Sequence, residues 1–160
     1  MIKLGKDQIG LLKKLMTNSA EKGNLANSGT VLEDEKIIAS AESWVVSSTD
    51  ATAHSERMLV SEVCRLKKSN YTPGLTMISV VEPCLMCLSA CSQAGYKEIG
   101  FIIPAEKYVE KIPWMTDIRN LDKADVAKKF SNPIKYTHLK EFENEFSKVF
   151  EKVMSRLLEQ

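Results

Sequence analysis

Two short runs in this 160-residue chain have residue types and spacing suited to chemistry: His54-Ser55-Glu56 and Glu82-Pro83-Cys84-Leu85-Met86-Cys87. Thiolates at i and i+3 lie on one helix face, and the unpaired N–H groups and dipole of a helix N-terminus stabilise the thiolate form that zinc requires. One imidazole from elsewhere completes three protein ligands and leaves the fourth tetrahedral position open for water, as in catalytic zinc sites. Water held there ionises near pH ~7, and a carboxylate beside it can take the proton and hand it to a ring nitrogen of a substrate. A carboxylate two residues from the histidine does not share its helix face. The chemistry therefore requires the metal to sit over a helix end, where side chains of the first turn converge.

The elements that must position these groups are legible from apolar periodicity. Ile9, Leu12, Leu15 and Met16 predict an amphipathic helix over Lys6 to Glu21, closed by Gly23-Asn24. Thr30-Val31-Leu32 and Lys36 to Ser40 flank an acidic turn at Glu33-Asp34-Glu35 and predict a β-hairpin that lacks an Asn-Gly turn. Asp50 reads as the N-cap of a second helix that starts just before His54 and carries Met58, Leu59, Val63 and Leu66 to Lys68. After Pro73-Gly74, the run Leu75 to Val81 predicts a strand buried on both faces, followed directly by a helix beginning near Pro83 and stopping at Gly95.

Glu98 to Ile103 predicts a fourth strand ended by Pro104, and Pro133 to Leu139 a fifth. Residues 105 to 132 are less regular, with a short helix around Asp122 to Phe130, and Phe142, Phe146, Val149, Phe150 and Val153 mark a closing helix. Alternating strands and helices predict one three-layer α/β/α domain over residues 1 to 160, with a central mixed five-stranded sheet.

Composition excludes several classes. The sequence is 44% hydrophobic and 27% charged, which can fill a core, so wholesale disorder is excluded. A net charge of +1, from 22 basic and 21 acidic residues, offers no global attraction to a polyanion. No run approaches the ~20 apolar residues of a membrane span, and no signal segment opens the chain, so the expected compartment is the cytoplasm. Three of the four cysteines crowd between Cys84 and Cys91, which fits a metal or redox site in a reducing environment.

Taken together, Asp50-Ala51-Thr52-Ala53-His54-Ser55-Glu56 and, twenty-seven positions beyond Glu56, Pro83-Cys84-Leu85-Met86-Cys87 resemble the signature of the zinc-dependent cytidine/deoxycytidylate deaminase superfamily. The resemblance covers most of the chain, including Ser28-Gly29-Thr30-Val31 at the entry to the first strand. Glu82 before Pro83-Cys84 and Met86 before Cys87 make it most similar to the branch containing guanine deaminase and tRNA adenosine deaminase.

The resemblance implies one Zn2+ per chain held by His54, Cys84 and Cys87, with Glu56 as proton shuttle. It implies attack of zinc-activated hydroxide on a ring carbon bearing an exocyclic amine, and release of ammonia. Ala53 and Pro83 are implied substrate contacts through the motif backbone, and a homodimer is implied by the habits of the family. Two departures, Ala51 where the family has Pro and Ser55 where it commonly has Ala, touch no ligand. A third bears on substrate: relatives in this branch carry an Asn at the strand end before the motif, and Ala41-Glu42-Ser43-Trp44-Val45-Val46 contains none. Other groups must then recognise the base, or the substrate differs.

Competing readings are specific. Cys84 and Cys87 as a thioredoxin-like redox pair would leave His54 and Glu56 without a role. Cys91 as a fourth ligand would close the zinc site and make a binding module, the alternative being that it packs in the core. Cys64 reads as core and His138 as a packing or surface histidine. Trp44 and Trp114 are candidates to stack on a heterocycle. The basic residues Arg65, Lys67 and Lys68 gather at one helix end and form no sustained stripe, so a free nucleobase or nucleoside is expected in preference to tRNA. A tRNA adenosine deaminase, a cytosine or cytidine deaminase, and a catalytically silent zinc-binding relative remain the alternatives.

Overall fold

The computed structural model describes residues 1–159. Its first helix, α1 (Lys6–Glu21), buries Leu12 and Met16, and the chain then enters a hairpin of β1 (Ser28–Glu33) and β2 (Lys36–Glu42). The two-residue turn places Asp34 and Glu35 at φ 47° and 67°. Positive φ at both central residues is the pattern of a type I′ turn, whose twist matches that of the strands, and it forms here without the usual Asn-Gly.

α2 (Ser55–Lys67) follows, then β3 (Thr76–Val81), α3 (Leu85–Ala94) and β4 (Glu98–Ile103). The remaining elements are α4 (Lys123–Lys129), β5 (Lys135–His138), α5 (Lys140–Val153) and α6 (Ser155–Leu158). The strands form one mixed sheet in the order β2-β1-β3-β4-β5. β1 is antiparallel to both neighbours, while β3, β4 and β5 run parallel. Every residue of β3, the central strand, is buried, as its mostly apolar run predicts, and the one polar residue in its interior, Ser79, is hydrogen-bonded.

Two apolar layers cover the sheet. Leu12, Met16, Phe146 and Phe150 of α1 and α5 pack with Ile78, Val80 and Ile102 on one face. Leu59, Val63 and Leu88 of α2 and α3, with Ala127 of α4, pack with Val31, Met77 and Ile99 on the other. Gly29 allows α2 to lie close: a β-carbon there would fall 2.8 Å from the Ile78 carbonyl oxygen and 3.1 Å from Leu59. Among the described residues no helix is long and apolar enough to cross a membrane.

One local expectation is corrected. Asp50 does not cap α2; its carboxylate accepts hydrogen bonds from the Thr52 N–H at 2.8 Å and the Thr52 hydroxyl at 2.7 Å, closing a turn upstream. The N-cap is His54, in extended conformation at φ −69° and ψ 142°. The short Asp side chain bonds its own backbone two residues on, and that alternative wins here.

Candidate metal centre and cavity

The two motifs meet because two helices begin at the same end of the sheet. His54 is the N-cap of α2, Cys84 the N-cap of α3, and Cys87 lies in the first turn of α3. β3 delivers its carboxyl end directly into Glu82-Pro83-Cys84, the location where open α/β sheets place their sites. The metal-ligating atoms of His54, Cys84 and Cys87 all lie within 4.8 Å of one another. His54 Nδ1 is 3.6 Å from Cys84 Sγ.

The donor set, one imidazole nitrogen and two sulfurs, fits zinc(II) and leaves a tetrahedral site one ligand short. The electrostatics agree. The hydrogen bond from the Cys87 thiol, joined by His54, holds Cys84 ionised down to about 4, against the opposing effect of burial. The same sulfur–sulfur contact, with burial and the nearby Glu56 carboxylate, pushes Cys87 up. Contact with Cys84 raises His54.

Cys91 stands outside the ligand group and is fully buried on α3 among Leu59, Met77 and Leu88. Burial, with Glu56, pushes its thiol up. It packs.

Glu56, 1% exposed, reaches the same place from the first turn of α2. It lines a cavity of about 210 Å³ together with His54, Cys84, Asn27, Ser43 and Trp114. Of the two tryptophans, Trp114 thus faces the cavity. Trp44 does not: it lies in a different depression beside α2, with Lys22 Nζ 4.7 Å from its ring centroid. Ala53 is buried behind the site, its carbonyl accepting from Trp44 N–H, and the Pro83 carbonyl accepts from Lys123 Nζ at 3.0 Å.

The structure adds residues that the linear reading did not single out. Asn27, just before β1, donates from Nδ2 to Glu56 Oε1 at 2.6 Å, so the cavity has an asparagine although none stands at residues 41–46. Ser43 occupies the cavity wall in that stretch. Thr116 and Asp117, from the irregular segment before α4, complete the rim. A buried Lys123 anchors this segment: it pairs with Asp117 and lies 3.5 Å from Glu82, whose carboxylate also accepts from Ala105 N–H and the Tyr136 hydroxyl. A lone Asn or Lys in a polar stretch carries no periodic signal, and only the segment's length and irregularity marked it as a place where function gathers.

A family model for the cytidine and deoxycytidylate deaminase zinc-binding region matches residues 7–103. The tRNA-specific adenosine deaminase of Aquifex aeolicus (strain VF5) is 33% identical over 81 residues, 51% of this chain and 54% of that protein. The guanine deaminase of Bacillus subtilis (strain 168) is 29% identical over 94 residues, 56% of this chain and 60% of that protein. The chain thus matches little more than half the length of these two relatives. A solved guanine deaminase from Nitrosomonas europaea superposes with a TM-score of 0.78 at 13% identity, covering 97% of this chain and 87% of the other, a likeness of fold.

Proposed function

The chain belongs to the cytidine and deoxycytidylate deaminase family, and from that premise we propose that it is a hydrolytic deaminase of a small amino-substituted nucleobase or nucleoside. The observation that carries this reading is one cavity lined by two of the three ligand residues, the buried Glu56 carboxylate and Trp114. His54, Cys84 and Cys87 would hold zinc(II), which when bound supplies a Lewis acid that brings the ionisation of water to near pH ~7.

The chain's own residues do the rest. Glu56 accepts a proton from the attacking water and returns it to a ring nitrogen, which makes the amine-bearing carbon a better electrophile. The water oxygen bonds to that carbon and the bond to the exocyclic nitrogen breaks. One water proton ends on the ring nitrogen and the other on the departing ammonia. Trp114 offers an aromatic face to a flat ring, and the Lys123 ion cluster holds the segment carrying Thr116 and Asp117 over the cavity. We take residues 1 to 160 as one deaminase domain that works as a homodimer in the reducing cytoplasm.

A tRNA adenosine substrate is the second reading, favoured by the name of the Aquifex relative. Against it, the cavity lining holds Glu56, Glu82 and Asp117 and neither Lys nor Arg, so the cavity offers no cation to a phosphate. The test is ammonia release by the zinc-loaded protein from guanine, adenine, cytosine, their nucleosides, amino-triazines and a tRNA anticodon stem-loop, with Glu56→Ala alongside. Release from a small ring, lost in the variant while zinc is retained, is the expected result. Release from the stem-loop alone overturns the small-substrate reading. Silence throughout with zinc bound moves the protein to the non-catalytic class.

A further inference from the structure

The hydrogen bonds of Asn27, Ser55 and Ser79 to Glu56 converge on a single carboxylate oxygen. Asn27 Nδ2 lies 2.6 Å from Glu56 Oε1, the Ser79 hydroxyl 2.8 Å and the Ser55 hydroxyl 2.9 Å. These donors come from three separate pieces of backbone: the segment before β1, the interior of β3, and the first residue of α2.

Of the three, Asn27 is the one whose direction is fixed. Its Oδ1 already accepts from the Ser28 N–H and the Val81 N–H, each at 2.9 Å. An amide that spends its oxygen on two backbone donors can present only its NH2 to the carboxylate. The Ser79 hydroxyl has one proton to divide between Oε1 and the Val81 carbonyl, 2.6 Å away. The Ser55 hydroxyl is free to rotate. Asn27 is 5% exposed and therefore also shielded from competing water.

We propose that Asn27 is a positioning residue for Glu56: it clamps Oε1 against the sheet, so that Oε2 alone faces the cavity and carries the proton between water and substrate. A carboxylate held with one oxygen toward the cavity takes up and returns the proton in one geometry, whereas rotation about its terminal torsion, which is broad, would exchange the two oxygens and lose that alignment. The clamp removes that freedom. The inference deepens the deaminase reading and rests on it for the direction of proton flow, while the clamp itself is a statement about geometry.

Asn27→Asp is the discriminating variant. It keeps an oxygen for the Ser28 and Val81 N–H groups, so a purely structural tie between β1 and β3 survives, yet it replaces the donor to Glu56 with an acceptor. With zinc content and melting temperature measured alongside, kcat on the best substrate of the panel is expected to fall at least tenfold while KM changes less than threefold. Crystal structures of zinc-loaded wild type and variant supply a readout independent of turnover. In the Asn27→Asp protein the Glu56 carboxylate is expected to have rotated away from its wild-type orientation.

An unmoved carboxylate overturns the proposal, even if no substrate has been found, and so does a kcat within twofold of wild type. If Asn27→Asp does not fold, Asn27→Ala is read by the same two measurements with the same criteria. Loss of the deaminase reading has a different signature: wild-type silence across the panel with Glu56 still clamped in the crystal.

Discussion

His54 and Cys84 are thirty positions apart, yet each is the N-cap of a helix, and His54 Nδ1 lies 3.6 Å from Cys84 Sγ. Two helix N-termini therefore face one point. Their free N–H groups and dipoles favour negative charge there, which suits the thiolates and the Glu56 carboxylate. This answers the spacing problem posed by His54-Ser55-Glu56, because a residue at the N-cap and one in the first turn can both turn over the helix end.

Metal content should follow the three converging side chains and ignore the fourth sulfur. Cys87→Ser or His54→Ala is expected to lower zinc well below one per chain, whereas Cys91→Ala keeps full occupancy and loses only packing. Removing zinc with a chelator should also lower the melting temperature, since a ligand that binds only the folded state stabilises it by mass action. Metal analysis with calorimetry checks both. Zinc lost from Cys91→Ala would identify a closed site.

Lys123 should be costly to remove. It is 6% exposed and serves Asp117, Glu82 and the Pro83 carbonyl together, so Lys123→Met leaves two nearly buried carboxylates facing each other. Breaking one side of a buried ion pair costs about 3–5 kcal/mol. Urea denaturation should show a loss of that order. KM should rise as the segment carrying Thr116 and Asp117 loosens.

Tyr96, Tyr108 and Tyr136 should stay protonated beyond the range in which an unfolded chain's tyrosines ionise. Burial is the leading cause of the upward shift in each, with the Glu82 carboxylate adding at Tyr136 and Glu151 at Tyr108. A phenol raised in the native state leaves stability intact below the unfolded value of about 10 and lowers it as pH climbs above that. Absorbance at 295 nm followed with circular dichroism tests this: the phenolate signal of these three should rise only as structure is lost. Early ionisation without unfolding would contradict it.

The hairpin turn can be improved. Asp34 and Glu35 both sit at positive φ, so Asp34→Asn combined with Glu35→Gly should relieve strain and stabilise the protein by about 1 kcal/mol. Chemical denaturation measures the gain, and zinc stoichiometry should not change, since the turn lies at the far end of β1 and β2 from the metal centre.

Much was written locally in the sequence. The Cys84 and Cys87 spacing marked the start of one helix, though Cys84 is its N-cap and Cys87 lies in its first turn; apolar periods marked α1 at its observed bounds of Lys6–Glu21, and the Glu98 to Ile103 run marked β4. Helix periods, strand runs and ligand spacing are properties of neighbours along the chain, so they survive in one dimension. The ends of α2 were harder, because Asp50 had two local uses and the turn took it.

What only the tertiary structure decided is how distant groups meet around Glu56. Asn27 reaches Glu56 and Val81, 29 and 54 residues away, because β1 pairs antiparallel with β3 while α2 packs across both. Likewise the sheet order and the course of the segment before α4 bring Trp114 to the cavity and leave Trp44 on another face. Such contacts depend on register and crossover, which leave no periodic trace in composition or spacing. The residues proposed to perform the chemistry were therefore legible from their motif, while those that pack around them became visible only once the sheet had assembled.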